Sequence, residues 1–345
     1  MTTLKINPYK AVDYKESSIE SALEAAGSLI ADVKYDGVRG ELIIEPSKGY
    51  NFLSRVSKEV PALAYLKETQ SERWDKFLND DRQLFPQGLL IDGELMIKDV
   101  DFNTSSGLLR TKWLKETNQE FDEYGLKLNS PKKTPFCLDL SRLEMVIYAV
   151  VPIDIIKAGS DKDYPVMNCI MQTHTDVTVR LLREYFPEID WKTPETYDVF
   201  SMNGLKELYE LMRSEGHEGL VVKDPWGIYK RGKKTGWWKM KPEDTIDGTV
   251  CGLVWGTVGK ANEGKVIGFE VLLEDGMVVN ACGLTQEQMT EFTGNCCPEE
   301  SLFKGNYYHG YQVEVQFMER FPDGSLRHPS FKCFRGTEDN PTVKI

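Results

Sequence analysis

The stretch Ala31–Gly40, ADVKYDGVRG, is the part of the chain best equipped for chemistry. Read as a strand, it alternates Ala31, Val33 and Tyr35 on one face with Asp32, Lys34 and Asp36 on the other. A lysine flanked on its own face by two carboxylates is a poor structural choice unless its charge or nucleophilicity is wanted. The plain alternative is an edge-strand lysine that blunts aggregation. The unit Lys-x-Asp-Gly-x-Arg arises by chance in about one chain in a hundred at average residue usage, so alone it is moderately specific.

Leu89–Lys98 (LLIDGELMIK) follows the same logic. Leu89, Ile91, Leu95 and Ile97 share a buried face, and Asp92 and Glu94 share the other. Two carboxylates on one strand face suit a metal ion, a ribose hydroxyl, or a buried lysine or arginine; solvated acids are the plain alternative. Glu218 opens the apolar run GLVVK and so falls at a strand end, where a site can form. Lys239 and Lys241 flank Met240 and point the same way, and fixed cations facing one point bind and activate phosphoryl groups. Tyr148 lies in an apolar strand and reads first as core packing. The run Tyr229–Lys241 (YKRGKKTGWWKMK) holds Lys230, Arg231, Lys233, Lys234, Lys239 and Lys241 and no acid. With Trp237 and Trp238 embedded in it, the run reads as a phosphate-facing surface rather than a solvated tail.

These residues need elements to hold them. Ser17–Gly27 reads as a helix with Ser17 and Glu20 as a capping box and Gly27 as its C-terminal cap. Leu29–Glu45 reads as two strands turning at Asp36-Gly37. Strands are expected at Leu89–Ile97, Leu143–Val151 and Gly219–Lys223, and a helix at Leu205–Ser214 that ends before Gly216. Polar, aperiodic Lys112–Thr134 reads as an inserted loop. Past Pro242 the texture changes. Glu243–Gly248 (EDTIDG) reads as a hinge, followed by short strands at Thr249–Trp255, Val266–Leu273, Met277–Ala281, Tyr311–Met318 and Phe331–Arg335. A helix at Thr285–Phe292, with Thr285 and Gln288 as its capping box, falls between the third and fourth. Five strands with one helix in that place fit a small Greek-key barrel of the OB type. The expected domains are residues 1–242 and 243–345.

Composition agrees. A chain of 345 residues has room for about two domains, and 41% hydrophobic residues supply their cores. The longest apolar run, Val146–Ile153, contains Pro152 and is far shorter than the ~20 residues that span a bilayer. MTTLKINPYK carries no secretory signature. Seven cysteines, an odd number with no C-x-x-C pair, point to reduced thiols in a cytoplasm, with no disulfide frame or zinc site. The net charge of −12 by itself argues against nucleic-acid binding. It is unevenly spread: residues 242–345 carry 8 basic and 16 acidic side chains, residues 1–241 carry 34 and 38.

Taken in order, these residues resemble the motifs of the covalent nucleotidyltransferases, specifically the ATP-dependent DNA ligases. KYDGVR resembles the nucleophile motif and SRVSK (Ser54–Lys58) the ribose-binding one. DGEL (Asp92–Leu95), VIYAV (Val146–Val150), EGLVVK (Glu218–Lys223) and WWKMKP (Trp237–Pro242) follow in order, and LRHPSFKCFRGTED (Leu326–Asp339) resembles the last motif. The likeness spans nearly the whole chain and is greatest to the compact two-domain ligases of T-odd phages. It implies an α+β fold: an ATP-grasp-like nucleotidyltransferase (adenylation) domain of antiparallel sheets with helices, then a C-terminal OB β-barrel. It implies Lys34 as the nucleophile that takes AMP from ATP as a phosphoramidate. Asp32 and the backbone of Val33 and Tyr35 would read adenine, with Tyr148 stacked on its ring. Arg39, Arg55, Val56, Ser57 and Glu94 would hold ribose and phosphates. Glu218, with Glu94, would bind Mg²⁺ or Mn²⁺, and Lys239 and Lys241 would neutralise the α-phosphate. Arg327, Arg335 and Asp339 would act in the first step from a mobile barrel. Asp32 is shorter than the family's glutamate, which leaves room for a water against adenine, and Asn340 stands where a lysine often follows the final aspartate.

The physical chemistry is compatible with these roles. A free lysine of pKa ~10.4 is nearly all ammonium at neutral pH and a weak nucleophile. Nearby cations favour the amine, and Arg39, Lys239, Lys241 and a metal would supply that field. Asp32 and Asp36 oppose it unless they engage partners of their own. The implied activity is sealing of nicked double-stranded DNA, in replication, repair or recombination. The protein would be a monomer without an obligate protein partner or membrane, in the host-cell cytoplasm if the gene is viral. The basic run and the insertion at 112–133 would clamp the duplex. An RNA ligase or an mRNA-capping guanylyltransferase shares the Lys-x-Asp-Gly core. A single-strand-binding OB protein without catalysis is the reading from another class, opposed by Lys34, Glu218, Lys239 and Lys241 together and by the acidic barrel region.

Overall fold

The computed structural model describes residues 4–115, 123–124, 133–296, 307–321 and 323–336. The chain divides into two compact units, Met1–Met240 and Lys241–Ile345. In chain order the strands of the first are β1 (Tyr9–Asp13), β2 (Leu29–Lys34), β3 (Val38–Glu45), β4 (Gly49–Ser54), β5 (Leu89–Ile97), β6 (Trp113–Lys115) and β7 (Lys133–Pro135). They continue as β8 (Leu143–Pro152), β9 (Tyr164–Met167), β10 (Asp190–Lys192), β11 (Thr196–Val199), β12 (Gly219–Lys223), β13 (Ile228–Tyr229) and β14 (Gly232–Met240). Two five-stranded sheets result, ordered β1-β14-β12-β2-β11 and β10-β8-β5-β3-β4. All pairings are antiparallel except β1 with β14 and β10 with β8.

Tyr9 and Trp237 of the first sheet, with Tyr229 of the separate β13-β9 pair, pack with Leu90, Val146 and Val151 of the second, so one apolar layer lies between the sheets. The outer face of the first sheet is covered by Ile19, Leu205 and Met212 of the helices Glu16–Ala26 and Met202–Ser214. The outer face of the second packs on Trp74, Phe77, Val179 and Leu182 of Ser71–Leu78 and Asn168–Tyr185. Each sheet is thus buried on both sides. That is why β2, β5, β8 and β12 are rich in apolar residues at nearly every position, and why a polar residue inside them signals a partner.

Two expectations change. Asp36-Gly37 is no hairpin turn, because β2 and β3 belong to different sheets. It is the crossover between them, and a Cβ on Gly37 would come within 2.7 Å of the Leu95 carbonyl oxygen. The first helix begins at Glu16, with Lys15 at its N-cap and no side-chain cap, so the Ser17–Glu20 box does not form; Gly27 closes it at φ 78°.

The second unit is a closed barrel ordered β15-β16-β17-β19-β18, from β15 (Asp244–Trp255), β16 (Val266–Leu273), β17 (Val278–Cys282), β18 (Gln312–Phe317) and β19 (Ser330–Gly336). The helix Gln286–Cys296 falls between β17 and β18, as an OB fold requires. Its capping box is formed: Gln288 N donates to Thr285 Oγ1 at 3.2 Å and Thr285 N to Gln288 Oε1 at 2.9 Å. The expected hinge at Glu243–Gly248 is instead the first half of β15, paired with β18 from Asp244 onward. Its acidic residues hid a strand whose Ile246 packs against the barrel core. Within the expected insertion, Trp113–Lys115 and Lys133–Pro135 form a two-stranded hairpin; residues 116–122 and 125–132 lie outside the described residues. Among the described residues no helix is long and apolar enough to cross a membrane.

Candidate active site

The antiparallel register of β2 and β12 sets Gly219 opposite Lys34 and Val221 opposite Asp32. Lys34 Nζ donates to Glu218 Oε2, the residue just before β12. Lys34 is 22% exposed in its side chain and Glu218 9%, so the pair sits at the edge of the buried layer. One face-step further in, Asp32 is 2% exposed. Its Oδ2 lies 2.5 Å from Lys223 Nζ, and its Oδ1 accepts from Thr196 Oγ1 at 2.8 Å. Lys223 Nζ also stands 4.2 Å from the centre of the Trp237 ring. A buried lysine persists only when paired, and this one neutralises Asp32. The carboxylate that would have opposed an amine at Lys34 therefore has its own counter-ion.

Lys223 was not singled out by sequence reasoning. The signal was present in GLVVK, where a lysine closes a strand otherwise too apolar to face water. Thr196 carried no signal, since its place beside Asp32 depends on the pairing of β11 with β2.

On the second sheet, β3 and β5 pair with Arg39 opposite Glu94 and Glu41 opposite Asp92. Arg39 grips Asp92 with both ends, Nε to Oδ1 at 2.5 Å and Nη2 to Oδ2 at 2.7 Å, a bidentate geometry that fixes both planes. Tyr229 Oη adds a 2.7 Å hydrogen bond to the same carboxylate. The two acids of β5 are thus divided: Asp92 is the partner of a half-buried arginine, while Glu94 is set toward the Lys34–Glu218 pair. Burial pushes the Glu94 carboxyl up to about 7; Arg39 and Lys34 pull against this and Glu218 adds to it. Tyr148 Oη lies 3.5 Å from Glu94 Oε2, and the Arg39 guanidinium stands 4.9 Å over the Tyr148 ring.

A cavity of about 350 Å³ opens beside Asp32, Tyr148, Asn168, Thr196 and Lys223, within the range that small-molecule sites occupy. Val33 is fully buried and its N–H donates to the Glu195 carbonyl at 2.8 Å; Tyr35 Oη accepts from Glu195 N at 3.3 Å. Arg55, Val56 and Ser57 are not among the residues lining this cavity. Val56 is 62% exposed, and the Ser57 hydroxyl accepts from Ile6 N at 2.9 Å.

The basic run behaves differently from expectation. Arg231 is buried and donates to the Asn7 and Ile6 carbonyls. Lys233 pairs with Asp13, Lys234 with Asp163 and Lys239 with Asp13, the last at 2.9 Å, and Lys241 stands 4.0 Å from Glu243. Three of the six cations of the run are therefore paired with acids from distant parts of the chain. In the barrel, Arg327 is buried with Nη1 2.7 Å from Glu319 Oε1. Arg335 bridges Asp247 at 3.3 Å and Glu314 at 3.0 Å. Asp339 lies outside the described residues.

Comparison with known proteins bears on this arrangement. Residues 8–241 match the family described as "ATP dependent DNA ligase domain" and residues 242–304 the "DNA ligase C-terminal domain". The chain is 50% identical to the DNA ligase of Escherichia phage T7 and 52% to that of Enterobacteria phage T3, each over the full length of both proteins. A solved structure of the bacteriophage T7 ATP-dependent DNA ligase, in complex with ATP, superposes with a TM-score of 0.64 at 51% identity, covering 96% of this chain and 99% of that one. With both domains matched in order and full-length relatives at half identity, the chain belongs to the ATP-dependent DNA ligase family.

Proposed function

We propose that this ligase seals nicks in duplex DNA through an AMP adduct on Lys34. The observation that carries the reading is the Lys34–Glu218 pair, with Lys34 two residues along β2 from Asp32, which lines a cavity with Tyr148 and Lys223. In the first step Lys34 Nζ, having lost a proton, forms a bond to the α-phosphorus of ATP as the bond to pyrophosphate breaks. AMP then passes to the 5′-phosphate of the nick, freeing Lys34, and the adjacent 3′-hydroxyl displaces AMP to close the phosphodiester.

Asp32, held by Lys223 and Thr196, faces the adenine, with Tyr148 against its ring and the backbone of Val33 and Tyr35 beside it. Arg39, Glu94 and Arg55 serve the ribose and phosphates. Lys239 exchanges Asp13 for the α-phosphate, and Lys241 adds a second cation. Arg327, Arg335 and Asp339 contribute in the first step from the barrel unit. Glu218 and Glu94 fit a magnesium ion. They are hard oxygen donors beside the nucleophile, Mg²⁺ commonly takes one or two carboxylates plus substrate phosphates, and the raised Glu94 carboxyl is one that a nearby cation would return to its charged form. When bound, the ion would offset charge on the phosphoryl oxygens.

The test is intact-protein mass after incubation with ATP, NAD or GTP plus Mg²⁺, alongside Lys34→Ala. Gain of one AMP from ATP alone, absent in the variant, is expected, and a nick-sealing gel then separates DNA from RNA as substrate. No gain with any nucleotide, from protein shown to be AMP-free, would overturn the reading.

A further inference from the structure

The hairpin of β6 and β7 carries a cluster of cations that no acid among the described residues pairs with. Arg110, Lys112, Lys115 and Lys133 are exposed, residues 110–115 and 133–138 contain no acid, and none of the four cations forms an ion pair within the described structure. All six strand positions are exposed, including Trp113 at 45% and Leu114 at 51%. Trp113 lies opposite Pro135 and Lys115 opposite Lys133.

Both features work against the hairpin as a free-standing element. Two like charges directly across an antiparallel pair repel, and a lone two-stranded hairpin is marginal in water. The register puts Trp113, Pro135, Lys115 and Lys133 on one face, an apolar end beside a pair of cations. A polyanion with an apolar surface next to its charges relieves both costs, and duplex DNA is such a ligand: phosphates for the lysines, sugars and groove walls for the indole.

We infer that this face is a DNA-docking element for the nicked duplex, with Lys115 and Lys133 on backbone phosphates and Trp113 packed against the groove. The inference rests on the nick-sealing reading and adds where on the adenylation unit the duplex is held. The occupant is argued from charge: in a chain of net charge −12, a cluster of four cations without an acid partner among the described residues favours the dense negative charge of a polyanion.

The experiment measures nicked-duplex affinity of the full chain across a salt series, for the wild type, K115A/K133A and W113A. Each phosphate contact contributes a slope of about −0.9 in log K against log salt. K115A/K133A is expected to lower the slope by roughly 2 and to weaken binding tenfold or more at low salt. W113A is expected to weaken binding at every salt concentration with the slope unchanged. AMP loading of Lys34 from ATP, which needs no DNA, reports that each variant is folded. Wild-type slope and affinity in K115A/K133A would overturn the inference while leaving nick sealing standing; failure of the wild type to load AMP would strike the nick-sealing reading instead.

Discussion

Glu218 precedes the residue opposite Lys34, so the hydrogen bond between Lys34 Nζ and Glu218 Oε2 runs diagonally between two antiparallel strands. The bond holds the amine toward the strand end rather than letting it swing into solvent. A hydrogen bond to a charged group contributes about 1.5–3 kcal/mol. Glu218→Gln is therefore expected to slow AMP loading of Lys34 by about ten- to a hundredfold, measured in a single turnover with saturating ATP. Loading at the wild-type rate would mean that Glu218 neither orients the amine nor serves the metal.

Thr196 stands opposite Asp32 in the β11–β2 pair, and its hydroxyl donates to Asp32 Oδ1. Thr196→Val keeps the shape and removes the donor, at a cost of about 1.5–3 kcal/mol for a hydrogen bond to a charged group. The expected outcome is a rise in KM for ATP of about ten- to a hundredfold during AMP loading, with the rate at saturation nearly unchanged. A fall in kcat without a change in KM would place Asp32 away from nucleotide recognition.

Lys223→Met strands the Asp32 carboxylate in the layer beside Trp237 without a counter-ion. Breaking one partner of a buried pair costs about 3–5 kcal/mol, and urea denaturation of the full chain should show a loss of that order in the adenylation unit. Adding Asp32→Asn removes the stranded charge and should restore part of the stability. If the double variant is less stable than Lys223→Met alone, the pair is not the source of the loss.

Glu94 makes stability depend on pH in a stated direction. Its carboxyl is raised from the ordinary 4.5 to about 7, first by burial. Between those values the unfolded chain ionises Glu94 while the folded chain keeps the proton, so stability falls as pH rises through the window. Glu41, raised well above the carboxylate range by burial and by Asp92, adds to the same slope. Glu94→Gln should flatten part of it, matching the wild type near pH 4 and exceeding it above pH 7 by at most roughly 3 kcal/mol. Melting curves from pH 4 to 8 check this; a wild type that gains stability across that range would contradict the sign.

Much of this protein could be read from local order along the chain. The bounds of β5 and β12 follow from apolar runs closed by polar residues, and the barrel helix from its Thr285–Gln288 box, because propensity and capping act over a few neighbouring residues. The order of Lys34, Glu94, Tyr148, Glu218 and Lys239 carried the family likeness for the same reason: a motif is a local pattern. What tertiary structure alone decided was pairing. Nothing near Asp32 foretells Lys223 and Thr196, which arrive from strands about 160 to 190 residues further on. The partners of the basic run were not legible because Asp13 and Asp163 lie far from it in sequence and beside it in space. Asp36-Gly37 has the composition of a hairpin turn and became a crossover, since which sheet a strand joins is settled by the faces it must bury. Charges and strand edges find partners through the fold, so a residue's type and spacing state the chemistry available, and the sheets determine which group meets which.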